Sequence, residues 1–278
     1  MYEQYYGLLE RPFDLSPNPR FLFLSSAHRE ALNHLRYGLS GRPGLTVVIG
    51  EAGTGKTTLV KAVLEARAEH RSIVHLSNPI LTQSEFFEYL ASGFGFDEAA
   101  SLSKSRFLRT LESTLTASAS AGTLPALIVD EAQSLPHDLL EEVRLLTNIE
   151  GARGGSLAVA LLGQPELATR LNDPSLRQLK QRVALRCVLT PLTLRETAAY
   201  IVARVRVAGG NACSLFSREA VVAIHEHSNG IPRTISVICD NALVSGFALD
   251  RRPVGSDIVI EVCRDFELGA EPATSTRR

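Results

Sequence analysis

A lysine and a threonine follow two glycines in "GEAGTGKTT", residues 50–58. Gly50, Gly55 and the pair Lys56-Thr57 fit the pattern G-x-x-x-x-G-K-[ST] in full. These types at this spacing suit one task, which is holding a chain of phosphates. Backbone N–H groups of residues 53–58 must converge on phosphate oxygens, and a helix start adds partial positive charge there. Glycine allows the backbone to come close and to adopt φ > 0. Lys56 would bring a point charge to the β and γ phosphates, and the Thr57 hydroxyl would ligate Mg²⁺. The expected phosphate-binding stretch is Gly50, Glu51, Ala52, Gly53, Thr54, Gly55, Lys56, Thr57 and Thr58. Glu51 and Ala52 carry none of this chemistry themselves.

A second constellation is Asp130-Glu131 at the end of the apolar run "LPALIVDEAQ". An Asp at the tip of a strand adjacent to the loop strand is placed to hold Mg²⁺ through water. The next carboxylate, Glu131, can orient and deprotonate an attacking water. Many small-molecule kinases and GTPases lack that glutamate, and no N-K-x-D guanine signature occurs in the chain. The expected ligand is therefore ATP with Mg²⁺.

Those residues need a scaffold. Apolar runs of strand length occur at 45–50, 72–78, 125–131, 157–163 and 186–192, and helical stretches separate them. Nearly continuous apolar strands alternating with helices predict a parallel sheet covered on both faces. One such helix is "TTLVKAVLEARAEH", directly after the loop. Another is "SSAHREALNHLRYGL", capped by Ser25 or Ser26, with Leu32, Leu35 and Leu39 on one face. After Pro191 the pattern turns all-helical. "TLRE" has capping-box spacing, and Ser217 can cap the next helix, which stops at Asn229-Gly230. Pro232 suits a first helical turn, and Ser256 can cap the last helix.

The 278 residues carry a formal net charge of −1, with 45% hydrophobic and 21% charged residues. That is a chain able to bury a core, and its overall charge gives no argument for nucleic acid or an anionic membrane. Cys187, Cys213, Cys239 and Cys263 are widely spaced and read as reduced. No apolar run reaches the ~18 to 20 residues of a membrane helix. His225 and His227, two apart on a helix, make a poor metal pair. Phe86, Phe87 and Phe94 read as core, and residues 101–110 as a solvated helix face.

With these features together, the chain resembles the AAA+ ATPases. More narrowly, it resembles the general-secretion ATPases of the ExeA type and their relatives in surface-polymer and transposition systems. The resemblance rests on "YYGLLERPFDLSPNPRFLFLSSAHREAL", "GEAGTGKTTL", "VDEAQ", "LLGQPEL" and "NGIPR". It implies an α/β fold: a P-loop core with a parallel five-stranded sheet over residues 26–192, then a small all-α lid over 193–268. Residues 1–25 would be a lead-in packing near the adenine site, with Tyr6, Gly7 and Pro12-Phe13 over the base or simply covering the sheet. Residues 269–278 would form a disordered tail.

The resemblance also implies further roles. Gln164 falls where a polar γ-phosphate sensor is expected. Arg182 falls where an arginine finger would reach a neighbouring subunit's nucleotide, although Arg177, Lys180, Arg182 and Arg186 read equally as a solvated basic face. Arg233 would read the γ-phosphate from the lid. Asn78 would restrain the catalytic glutamate until a partner binds, although "SNP" is also good turn chemistry.

These expectations add up to a cytoplasmic ATP hydrolase, or one peripheral at the inner membrane. It would oligomerise with nucleotide and act with a protein partner of a secretion or envelope-export machine. The alternative is a DNA-associated, ATP-dependent regulator of the transposition type, drawn from the basic segment Arg170–Arg206. A third reading, a nucleotide-gated scaffold without turnover, sits poorly with an intact Asp130-Glu131. ExeA-type relatives continue into a membrane span and a periplasmic cell-wall-binding domain, so a membrane role here would be expected to need a partner or lipid contact.

Overall fold

A computed structural model describes residues 1–16, 18–40, 44–66, 73–121, 124–152 and 155–266. The expected tail, 269–278, and residues 67–70 of the helix after the loop lie outside these. In chain order the elements are α1 (Tyr2–Tyr6), α2 (Ser26–Gly38), β1 (Leu45–Gly50), α3 (Lys56–Glu65), β2 (Ile73–Leu76), α4 (Gln83–Phe94), α5 (Glu98–Ser101), α6 (Lys104–Ala121), β3 (Ala126–Val129), α7 (His137–Leu146), β4 (Ala158–Gly163), α8 (Pro165–Leu171), α9 (Arg177–Gln181), β5 (Val183–Leu189), α10 (Leu194–Val207), α11 (Arg218–Ser228), α12 (Pro232–Ala248) and α13 (Ser256–Asp265). They fall into two compact units. One spans 26–52 and 56–190; the other joins 1–25, 53–55 and the chain from Pro191 onward.

The first unit is the expected parallel sheet between helices, in the order β2-β3-β4-β1-β5. Every residue of β1, β3 and β4 is buried, which is why those runs are apolar almost throughout, Thr46 being the exception. On one face, α4, α6 and α7 cover the sheet with an aromatic cluster. Phe86, Phe87 and Phe107 are buried, with Phe87 and Phe107 ring centroids 5.1 Å apart. Phe94 is partly buried against the same cluster.

Two expectations about this sheet need correction. First, the fifth strand begins at Val183, not 186, and ends at Leu189. It is an edge strand, so its residues alternate between cover and solvent, and Arg186 stands exposed in its middle. A charged residue at mid-strand disguised the start. Second, β3 does not adjoin β1, because β4 lies between them. The acidic pair therefore reaches the loop across the tip of β4.

The second unit is helical. Tyr2, Tyr6, Leu8, Phe13 and Phe21 of the lead-in share one buried core with α10 to α13. Arg204 on α10 fastens the lead-in by donating to the carbonyls of Pro12 and Asp14 and to the Tyr200 hydroxyl. Tyr6 and Phe13 are each 1% exposed within this core.

The helix ends follow local chemistry. Thr193 and Glu196 form the reciprocal capping box of α10. The Ser217 hydroxyl accepts from the Ala220 N–H, and Asn229 closes α11 at φ 49°. Pro232 opens α12. Ser256 is not a cap: α13 starts after Gly255, and Ser256 is its first helical residue. Asp257 fills the space beside Gly255, where a Cβ would lie 2.4 Å from its Oδ1.

Candidate active site

The phosphate loop runs from the end of β1 to the start of α3. Gly53 and Gly55 take φ of 81° and 100°, conformations that penalise any side chain. Lys56 is the first residue of α3 and is 4% exposed. Its ammonium donates to the carbonyls of Gly50 at 2.7 Å and Glu51 at 3.1 Å. Burial lowers its pKa below the usual lysine value, against the pull of Glu131, Asp130, Glu51 and Glu166. A buried cation served by neutral carbonyls is an electrostatic demand for an anion.

Asp130 follows β3 and is 3% exposed. One carboxylate oxygen, Oδ2, accepts from the Thr57 hydroxyl at 2.7 Å, and Oδ1 accepts from the Glu131 N–H at 3.0 Å. A hydroxyl and a carboxylate brought together at a helix start are hard oxygen donors of the kind Mg²⁺ takes alongside waters and phosphates. The donor set fits the metal.

Glu131 adopts a left-handed backbone, φ 51° and ψ 37°, which for a residue with a Cβ is strained. Its Oε2 accepts from Gln133 Nε2 at 2.6 Å and from Gln164 Nε2 at 3.2 Å. Burial works to raise its pKa. The two amide hydrogen bonds and the Lys56 charge outweigh this and leave the carboxyl below the ordinary glutamate value. Glu131 is therefore anionic at neutral pH, the form a base requires.

Gln164, the residue before α8, spends its side chain on Glu131 rather than on capping its helix. Among the described residues no hydrogen bond joins Asn78 to Glu131. Asn78 Oδ1 accepts from the Ile80 N–H at 3.4 Å, a local turn, and the amides on the glutamate come from Gln133 and Gln164. Arg182 is exposed where α9 gives way to β5, and its carbonyl accepts from the Leu45 N–H at 2.8 Å. In the helical unit, Arg233 is the second residue of α12. Its N–H donates to the Gly53 carbonyl at 3.2 Å, Gly53 being grouped with that unit.

Sequence reasoning passed over Gln133, Arg170 and Gly163. Arg170 Nη1 donates to the carbonyls of Gln133 at 2.5 Å and Leu135 at 2.7 Å. A Cβ on Gly163 would lie 3.0 Å from Gln133 Oε1 and 2.7 Å from Leu167. Gln133 was visible only as the last letter of "VDEAQ".

This sheet order, with a phosphate loop after β1 and an acid pair after β3, defines the AAA+ class of P-loop NTPases. The AAA domain family matches residues 39–171, and the fold is that of a P-loop AAA+ core followed by helices. More particularly, it is homologous to General secretion pathway protein A of Aeromonas hydrophila, with 41% identity over 252 residues. The match covers 89% of this chain and 45% of that protein, so the chain spans less than half of its relative. Among solved structures it is similar to Cdc6p from Pyrobaculum aerophilum (TM-score 0.67, 19% identity, 91% of this chain and 70% of that one). It is also similar to the Aeropyrum pernix ORC2 protein (0.65, 18%, 94% and 72%) and to the Thermotoga maritima RuvB Holliday junction branch migration motor (0.56, 16%, 94% and 76%). At these identities the likeness concerns the fold. No helix among the described residues is long and apolar enough to cross a membrane.

Proposed function

We propose that the chain binds Mg²⁺-ATP and hydrolyses it, and that nucleotide state moves the helices of residues 194–265 or a neighbouring subunit. The observation that carries this reading is the meeting of Thr57 and Asp130 at 2.7 Å, with the anionic Glu131 next in sequence. The loop amides and Lys56 bind the phosphates. Thr57 and Asp130 hold the metal, which when bound neutralises charge on the β and γ phosphates. Glu131 takes a proton from the attacking water. Gln164 and Arg233 contact the γ-phosphate, and Arg182 serves the nucleotide of a neighbouring copy in a homo-oligomer.

Hydrolysis should require a divalent cation. Phosphate release should stop with EDTA and return with excess Mg²⁺. Thr57→Ala should raise the Mg²⁺ needed for half-maximal rate by about 10- to 100-fold. Metal-independent turnover, or an unshifted Mg²⁺ titration in Thr57→Ala, overturns the assignment.

The pathway we infer is assembly of a secretion or envelope-export machine, with the chain in the cytoplasm or at the inner membrane surface. Its support is the 41% identity to General secretion pathway protein A. A strain without this chain should retain export substrate inside the cell; normal export, with altered transposition instead, would favour the DNA-associated alternative.

A further inference from the structure

Glu131 offers two carboxylate oxygens, and the protein treats them differently. Both amide donors converge on Oε2, Gln133 at 2.6 Å and Gln164 at 3.2 Å. Among the described residues no donor meets Oε1. A carboxylate with one oxygen saturated and the other open has a defined basic face.

The stronger of the two bonds comes from a side chain that cannot turn round. Gln133 Oε1 accepts from the Gln164 backbone N–H at 3.0 Å while its Nε2 donates to Glu131. Flipping the amide would set an N–H against an N–H and an oxygen against the carboxylate. Each contact would change from attraction to repulsion, so the network admits one orientation.

The backbone beneath is held as well. The Arg170 guanidinium donates to the carbonyls of Gln133, in the middle of the short turn Ala132–Ser134 that follows Glu131, and of Leu135 just beyond it. The bare Cα of Gly163 leaves room for the amide, since a Cβ there would reach within 3.0 Å of Oε1. Three features thus converge on Gln133, the Gln164 N–H ahead of α8, Arg170 on α8 and the bare Cα of Gly163 on β4, and Gln133 passes their rigidity to Glu131.

We propose that Gln133 is the positioning residue of the water base. It pins Oε2 of Glu131, with Gln164 as the weaker second donor, so that Oε1 is the oxygen that takes the proton. In the step served, a water proton passes to Oε1, the water oxygen bonds to the γ-phosphorus, and the bridging P–O bond breaks with its electrons leaving on ADP. The proposal rests on Glu131 being the base. Gln133 itself touches no reacting atom.

The test compares Gln133→Met, which keeps the length and loses the amide, with Gln133→Ala and with Glu131→Gln, in the full chain with Mg²⁺-ATP. Both Gln133 variants should lower kcat by about 10- to 100-fold, part of the roughly 10² to 10⁴ that a placed general base contributes. KM for ATP and affinity for Mg²⁺-ADP should stay at parent values. Thermal melts separate this from loss of fold, which would lower ADP affinity too. If Glu131→Gln is slow while Gln133→Met keeps the parent kcat, the positioning role is wrong and the base stands. If Glu131→Gln turns over normally, the base assignment itself fails.

Discussion

Glu131→Gln should bind Mg²⁺-ATP as the parent chain does and hydrolyse it about 10² to 10⁴ times more slowly. The substitution is nearly isosteric and removes the charge that can accept a proton. Binding should survive because the groups that hold phosphate and metal lie elsewhere. Lys56 works from α3, and Thr57 and Asp130 meet without help from the Glu131 side chain. The hydrogen-bond network also tolerates the change on one side only. Oε2 of Glu131 accepts from two amides, so a glutamine must present its oxygen to them and its nitrogen to the open side. That side then offers a donor where a water proton had to be received. A quench of trapped nucleotide should find unhydrolysed ATP on the variant after many parent turnovers. Parent-like turnover with intact binding would remove Glu131 from the chemistry.

Much of this site was legible because its chemistry is local. The glycines at 53 and 55 are needed within one turn of chain, and the same nine residues that show them supply the lysine and the metal hydroxyl. The caps at Thr193, Ser217 and Asn229 are similarly decided within four residues. Gln133 was not legible because its role is set at long range. It matters through Gln164, Arg170 and Gly163, each some thirty residues or more away. Strand order is also non-local, so nothing near Asp130 reveals that β4 separates β3 from β1. A polar residue at a strand end satisfies its own turn as readily as it reaches across a site, and here Asn78 Oδ1 accepts from the Ile80 N–H. The start of β5 was hidden by Arg186, which an edge strand accommodates on its open face.

Arg182→Ala should reduce saturated turnover by about 10³ to 10⁵ if its guanidinium completes a neighbour's site. The side chain is exposed while its backbone is tied to β1 through the Leu45 N–H at 2.8 Å, so a rigid sheet edge presents a free cation. Arg177, Lys180 and Arg186 are exposed nearby, and a merely solvated basic face would make all four interchangeable. Arg186→Ala is therefore the matched control and should stay within about twofold of the parent, as a surface charge with no specific partner does. The decisive measurement mixes two inactive proteins. Arg182→Ala keeps its own Glu131, and Glu131→Gln keeps its own Arg182. Across a head-to-tail interface, random mixing in equal amounts restores a complete site at about a quarter of the junctions. Turnover should reappear on mixing and rise with total protein concentration. A finger acting within its own chain predicts none, because neither variant then holds both groups in one site.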